Sequence, residues 1–267
     1  MIAHADRIAA IFERPRAQGR AALILYLMAG DPDLETTALV IDAISAAGAD
    51  LIELGIPYGD PLADGPTIAA AGQRALAAGT SLGAALAAAK DAVQRCAAPL
   101  IFFSYVNPIS QYGPERFARA AADAGALGAI VPDVPLEEID EFAPAFRAHG
   151  LGIPLLVAPT TPPVRAAAIA ARSDGFIYVV SRLGVTGARR EPDVQWIAGA
   201  VERLRVHTAK PLAVGFGIST PAHVRSVAGL ADGVIVGSAL IDAIAGRRGA
   251  AAADAAFSFV SALRAAL

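Results

Sequence analysis

The stretch Leu51-Ile52-Glu53-Leu54-Gly55-Ile56-Pro57-Tyr58-Gly59-Asp60-Pro61-Leu62-Ala63-Asp64-Gly65-Pro66 carries both the folding unit and the chemistry of this chain. Leu51, Ile52 and Leu54 form an apolar run that reads as a buried strand. The Gly- and Pro-rich segment behind it cannot continue the strand and must loop over its end. Helical patterning resumes at Ile68–Ala77. Glu53 interrupts the apolar run, and an acid there is costly unless it has a partner or a task. The loop brings Asp64 back toward Glu53. Two carboxyls at one strand end suggest acid–base chemistry.

Outward from this stretch the same unit recurs. Further apolar runs predict strands at Leu23–Leu27, Leu100–Tyr105, Ala129–Val131, Leu155–Val157, Phe176–Val180, Leu212–Val214 and Val234–Val236. Helical patterns separate them at Glu35–Ala47, Leu82–Arg95, Pro114–Ala124, Glu137–Ala148, Pro163–Ala171, Val194–His207, Pro221–Ala228 and Ser238–Ala245. Helices at Ala5–Arg14 and Ala251–Ala266 flank the set. Strands followed by helices pair in parallel through right-handed crossovers, and their continuous apolar character suits burial on both faces. The expected fold is α/β: a single (β/α)8 TIM barrel spanning 1–267, with an extra N-terminal helix and an extra helix after the second strand. An open, doubly wound sheet is the alternative. It usually carries a Gly-rich dinucleotide loop after the first strand, and Ala29-Gly30-Asp31-Pro32 is not one.

Bulk properties narrow the function. The 267 residues match one barrel of this kind, and 55 % hydrophobic residues supply a sizeable core. A net charge of −3 provides no basic field for nucleic acid or an anionic membrane. The single Cys96 rules out an internal disulfide and fits a reducing compartment. Residues 1–20 mix acids and arginines and do not read as a signal peptide. Ala21–Ala29 is far shorter than the ~20 residues of a membrane span. A cytoplasmic protein is expected.

In such a barrel, chemistry sits at the C-terminal ends of the strands. Glu53, Asp64, Tyr105, Asn107, Asp133, Tyr178 and Arg182 fall there. So do three Gly-bearing turns: Leu183-Gly184-Val185-Thr186-Gly187, Gly215-Phe216-Gly217-Ile218-Ser219 and Gly237-Ser238. Backbone N–H groups freed by Gly at a helix start can cradle a phosphate, and Ser238 could both cap its helix and bind the anion. Each feature also has a plainer reading. Glu53 could be a salt-bridged acid at the barrel end. Asp64, just before Gly65-Pro66, could cap the next helix. The Gly turns could be simple connectors, and Tyr26 and Phe216 could be core. His4, His149, His207 and His223 lie away from strand ends without ligand spacing, so they read as surface residues and no metal site is expected. Cys96 closes a helix and reads as inert. Lys90 and Lys210 are the only lysines and neither ends a strand, which argues against a Schiff-base aldolase.

Taken together, these segments resemble the tryptophan synthase α subunit family. The resemblance rests on Leu51–Pro66, Ala29–Pro32, Val131-Pro132-Asp133-Val134-Pro135, Ala158-Pro159-Thr160-Thr161-Pro162, Ser181–Gly187 and Gly215–Ser219, in order and spacing along nearly the whole chain. It implies cleavage of indole-3-glycerol phosphate to indole and glyceraldehyde 3-phosphate. It also implies an α2β2 assembly with a β subunit that carries pyridoxal phosphate, with no cofactor in this chain. By the same resemblance, Glu53 and Asp64 fall on the catalytic acids. Tyr26, Phe103, Ile130, Tyr178, Phe216 and Ile235 fall on the indole pocket, and Thr186 on a closing loop. Gly187, Gly217, Gly237 and Ser238 fall on the phosphate cradle. Pro57, Tyr58, Asp60, Pro61, Asn107 and Pro135 fall where the family meets its β partner. The chain departs from the family at Gly59, where Ser is usual, and at Tyr58 and Tyr26, where Phe is commoner. Gly59 loosens the partner-facing loop. The rival expectations are a free-standing lyase, a non-catalytic barrel that activates a partner, and a sugar-phosphate isomerase.

Overall fold

The computed structural model describes residues 4–181 and 192–267, with side chains from residue 7 onward. Eight strands form one sheet: β1 (Ala22–Met28), β2 (Leu51–Gly55), β3 (Leu100–Phe103), β4 (Ala129–Ile130), β5 (Leu155–Val157), β6 (Ile177–Val180), β7 (Leu212–Gly215) and β8 (Gly233–Val236). Their order is β4-β3-β2-β1-β8-β7-β6-β5, and every pair is parallel. The circle is completed between β4 and β5 by a parallel bridge from Gly128 to Gly152. There the Ala129 amide donates to the Gly152 carbonyl at 3.1 Å, and the Gly152 amide donates to the Leu127 carbonyl at 3.0 Å. A Cβ on Gly128 would stand 2.0 Å from the Gly152 oxygen, so the backbones come this close only because Gly128 has no side chain. The barrel reading therefore holds and the open sheet does not.

The helices lie between the strands, two of them (Pro66–Ala77 and Leu82–Arg95) between β2 and β3, as expected. Strand residues are buried along their length, apart from half-buried Leu156 in β5. This is the pattern of a sheet covered on one face by helices and filled on the other by its own side chains.

One end of the barrel is stoppered. The expected N-terminal helix is instead a helix at His4–Ala9, a 3-10 turn at Ala10–Phe12 and a helix at Glu13–Ala17. Pro15 accounts for the break, because it has no N–H to extend the helical ladder. The segment drives Ile8 and Phe12 under the strand starts, where both are fully buried. Gly152, Gly175 and Gly233 make room: a Cβ at any of them would press on Ile8 or Phe12 at 2.5–2.8 Å. Phe12 also packs on Phe176 with ring centroids 5.5 Å apart. Access is left to the C-terminal strand ends.

Two features bear on that open end, the first of them a difference from the sequence reading. β3 stops at Phe103, and Tyr105 is the residue before a short helix, Val106–Tyr112, that the periodicity did not predict. Seven residues with Pro108 near the start are too few to show a helical period. The Asp133 carboxylate accepts the Val106 amide at 2.9 Å and so anchors the helix start. Second, Asp31 is buried and held bidentately by Arg74 at 2.7 Å, which pins the helix Pro66–Ala77 to the end of β1. The loop carrying Asp64 thus runs between two fixed points.

Candidate active site

Glu53 is the third residue of β2, in register with Tyr26 on β1 and Ile101 on β3. It is completely buried, and neither carboxyl oxygen has a hydrogen-bond partner among the described residues. The salt-bridge reading of this acid fails. Burial disfavours the charged form with nothing to oppose it, and pushes the pKa to about 8. At neutral pH Glu53 is a protonated acid held ready at a strand end.

Asp64 is half-buried at the same cavity. Its pKa is pushed up to about 6 by burial, against a lowering hydrogen bond from the Tyr105 side chain. It does not cap the next helix: Gly65 occupies the N-cap position of Pro66–Ala77, without a side-chain cap bond. Near pH 7 the two carboxyls therefore differ, with Glu53 mostly protonated and Asp64 mostly ionised. Pairs of titratable groups driven apart in this way divide acid and base roles between them.

The cavity between them measures ≈ 470 Å³, counting the space at its open mouth. Tyr26, Phe103, Tyr178, Phe216 and Ile235 line it, together with Gly217, Gly237 and Ser238. Two ring pairs form much of the apolar wall, Tyr26 with Phe103 (centroids 5.5 Å) and Tyr178 with Phe216 (5.9 Å), both edge-on. The tyrosine hydroxyls fit only because strand-end glycines give way. A Cβ on Gly55 would lie 2.2 Å from the Tyr26 hydroxyl, and one on Gly215 would lie 2.4 Å from that of Tyr178. Both phenols are held well above their usual pKa, first by burial and then by the nearby carboxyls, so both remain neutral. An apolar lining with two acids suits a largely apolar ligand that carries a few polar groups.

The polar part of the lining comes from two turns. Phe216 is in the left-handed region (φ 73°), rare for a bulky residue, and Gly217 follows at φ 81°. The Ser181 hydroxyl donates to the Phe216 carbonyl and helps hold this turn. Gly237 is the N-cap residue of the helix Ser238–Ile244, and Ser238 is its buried first residue. The cap reading of Ser238 is thereby corrected, because capping falls to Gly237 and no side-chain cap bond forms. The free N–H groups of a helix start favour an anion.

Some expectations land elsewhere. Ile130 is fully buried on β4 and is not in the cavity lining; the Tyr26–Phe103 pair forms the wall beside it. Thr186, Gly187 and Arg182 lie outside the described residues. Asp133 anchors the helix Val106–Tyr112 rather than facing this cavity. Ile68 and Ile218 line the cavity although the sequence reading named neither. Their signals were visible: Ile68 opens the apolar face of the helix after Asp64, and Ile218 sits within the Gly215–Ser219 turn. The histidines are more engaged than expected. His149 is half-buried and bonds Glu115 at 2.7 Å, and half-buried His223 meets the Ser219 hydroxyl at 3.2 Å. His207 is exposed, and the side chain of His4 lies outside the described residues. Cys96 donates to Asp42, and its thiol is pushed up to about 11, chiefly by burial. Among the described residues no group of three or more His, Cys, Asp or Glu side chains could hold a metal ion.

Beside the cavity mouth, Asp60, Asn107 and Pro135 are exposed, Tyr58 and Pro61 half-buried, and Pro57 buried beneath them. Leu62, which the sequence reading did not single out, is 74 % exposed on the same loop.

Comparison with known proteins gives one answer. The family model described as "Tryptophan synthase alpha chain" matches residues 12–265. The tryptophan synthase alpha chain of Prochlorococcus marinus (strain MIT 9313) is 51 % identical over 239 residues, covering 89 % of this chain and 86 % of the relative. That of Arabidopsis thaliana is 46 % identical over 231 residues, covering 86 % and 84 %. Among solved structures, Mycobacterium tuberculosis tryptophan synthase superposes with a TM-score of 0.90 at 38 % identity, covering 97 % of each chain. The tryptophan synthase subunit alpha of Legionella pneumophila str. Paris gives 0.88 at 35 %, again covering 97 % of each.

Proposed function

This chain belongs to the tryptophan synthase alpha chain family, and from that premise we propose how its residues carry out the family's reaction. The chain is the lyase that cleaves indole-3-glycerol phosphate to indole and glyceraldehyde 3-phosphate in tryptophan biosynthesis. It works with the β subunit in an α2β2 complex, and the pyridoxal phosphate belongs to that partner. We read residues 1–267 as one domain. Among the described residues no helix is long and apolar enough to cross a membrane. A cytoplasmic location is part of the proposal, since a biosynthetic lyase needs its substrate pool there.

Expelling an indole carbanion is prohibitively uphill, so ring carbon 3 must be protonated first. Glu53, neutral up to about pH 8, gives that proton. The ring becomes an indolenine whose nitrogen bears the developing positive charge. Asp64, ionised above about pH 6, accepts the ring N–H and stabilises that charge. Glu53, now a carboxylate, takes the proton of the hydroxyl on the carbon attached to the ring. The O–H electron pair becomes the aldehyde C=O, and the carbon–carbon bond pair returns to the ring and restores the aromatic indole. Glu53 ends protonated, as it began. Gly217, Gly237 and Ser238, with Gly187, anchor the phosphate, while Tyr26, Phe103, Tyr178, Phe216 and Ile235 hold the ring. Remote anchoring of this kind fixes the reacting end against the two acids.

One observation carries the reading: Glu53 is fully buried, has no hydrogen-bond partner among the described residues, and faces the same cavity as Asp64. A scaffold would gain nothing from such a group. The test is indole release from indole-3-glycerol phosphate by the purified chain, with and without a β subunit loaded with pyridoxal phosphate. Weak release alone and a large rise with the partner are expected. Glu53→Gln should abolish release in both settings, and a Glu53→Gln chain that still makes indole at the parent rate would remove Glu53 from the mechanism.

A further inference from the structure

Among the described residues one non-glycine residue has a left-handed backbone: Phe216, with φ 73°. A bulky residue rarely takes this conformation unless its surroundings impose it, and residues held this way gather at functional sites. Gly217 follows at φ 81°, so two left-handed residues in a row turn the chain away from the end of β7. The backbone of Phe216 is defined by the peptide group on each side of it, and Ser181 holds both. The Ser181 amide donates to the Gly215 carbonyl at 3.0 Å and fixes the group before Phe216. The Ser181 hydroxyl donates to the Phe216 carbonyl and fixes the group after it. Ser181 lies just past the end of β6 and is 4 % exposed, so water does not compete for either bond. The first bond continues the β6–β7 ladder and needs no particular side chain. The second needs a hydroxyl.

Both residues of the turn line the cavity. The Phe216 ring forms part of the apolar wall, edge-on to Tyr178 with centroids 5.9 Å apart. The peptide between Phe216 and Gly217 is trans, so the Gly217 N–H points away from the carbonyl that Ser181 holds. Relaxation of Phe216 toward ordinary dihedrals would swing the ring and turn this amide together.

We propose that Ser181 is a positioning residue for the cleavage: its hydroxyl holds Phe216 in the left-handed turn, and one hydrogen bond thereby sets both the wall that meets the indole ring and the amide that meets the phosphate. The proposal rests on the reading of Phe216 as a ring contact and Gly217 as a phosphate contact. It makes the two ends of the substrate interdependent, because the same turn shapes the place of each.

Variants of the full chain, alone and in the β complex, test this through substrate kinetics and through inhibition by the two products, indole and glyceraldehyde 3-phosphate. Ser181→Ala removes the hydroxyl and leaves the ladder bond. It should raise the KM for indole-3-glycerol phosphate and both product inhibition constants about three- to ten-fold, the worth of one buried hydrogen bond. The change in kcat should be smaller, as expected when binding is lost alike in the ground and transition states. Ser181→Thr keeps a hydroxyl and should hold all three constants within about two-fold of the parent.

A role confined to packing would lower the thermal midpoint and leave these constants unchanged, and that result overturns the proposal. So does a loss at one product only, since one turn would then not set both ends. Equal losses in the Ala and Thr chains overturn it too, because they assign the effect to volume rather than to the hydroxyl. If Ser181→Ala does not fold, Ser181→Cys, close in size with a weaker donor, is judged by the same criteria. Phe216→Ala checks the underlying reading. An indole inhibition constant at the parent value in that variant would bring down the ring contact given to Phe216, a separate failure.

Discussion

Burial acts on Glu53 unopposed, so the same side chain sets a catalytic pH and a stability slope. Cleavage needs Glu53 protonated and Asp64 ionised. The rate should therefore fall as pH drops through about 6 and as pH rises through about 8. A kcat/KM profile with its plateau between those values is the expected outcome, and one flat through pH 8 would separate Glu53 from the proton transfer. The stability slope has a definite sign. The folded pKa of about 8 lies above the ordinary 4.5, so between these values the folded chain keeps a proton that the unfolded chain has released. Stability is full below about pH 4.5 and is lost as pH rises through about 8. Glu53→Gln cannot titrate. The variant should melt increasingly above the parent from pH 5 to pH 9, by an amount worth a few kcal/mol at the alkaline end. An equal gap at both pH values in calorimetry would mean that Glu53 is not held neutral.

Elements meet in this barrel where glycine lets them. The β4–β5 closure depends on Gly128, whose added Cβ would collide with the Gly152 oxygen at 2.0 Å. A carbonyl cannot yield as a flexible side chain can, so Gly128→Ala must push the two strands apart. The expected cost is about 2–4 kcal/mol, read as a lower denaturant midpoint. An unchanged midpoint would show that the barrel tolerates an open seam here. Gly55 and Gly215 do the same service on a smaller scale, opening the strand ends so that the Tyr26 and Tyr178 rings reach into the cavity. The chemistry of the mouth is therefore prepared by residues that have none of their own.

At the scale of the whole molecule the two barrel ends have opposite roles. Ile8 and Phe12 close one, while the other presents the cavity and, beside it, exposed Asp60, Leu62, Asn107 and Pro135. Gly59 lies on the loop that carries Asp60 and Leu62, and it gives that backbone extra conformational freedom. This glycine has no left-handed φ and open space around it, so a side chain fits without strain. Gly59→Ser should restrict the free loop and tighten the complex with the β subunit about two- to five-fold, the usual entropy gain from replacing a compatible glycine. Titration calorimetry with the purified subunits measures this, and an unchanged Kd would show that loop freedom does not limit the association.

Particular residues show how far the primary structure reaches. Apolar runs separated by helical patterns predict all eight strands, and β5 falls at Leu155–Val157 as read. Local pattern suffices there, because strands covered on both faces must be continuously apolar. Glu53 and Asp64 were legible for the complementary reason: an acid in an apolar run, and a loop returning a second acid, are both visible in one dimension. The short helix Val106–Tyr112 was not legible, since seven residues cannot show a period, and neither was the split that Pro15 imposes on the N-terminal segment. The sequence by itself thus determined the barrel and where its chemistry must sit, because burial period and chain direction are local properties. Tertiary structure alone decided that Glu53 has no hydrogen-bond partner among the described residues, that Ile68 and Ile218 line the cavity while Ile130 does not, and that the Tyr105 hydroxyl meets the Ala63 amide. Desolvation and hydrogen-bond pairing depend on which distant segments arrive beside a group, and no local pattern encodes that arrival.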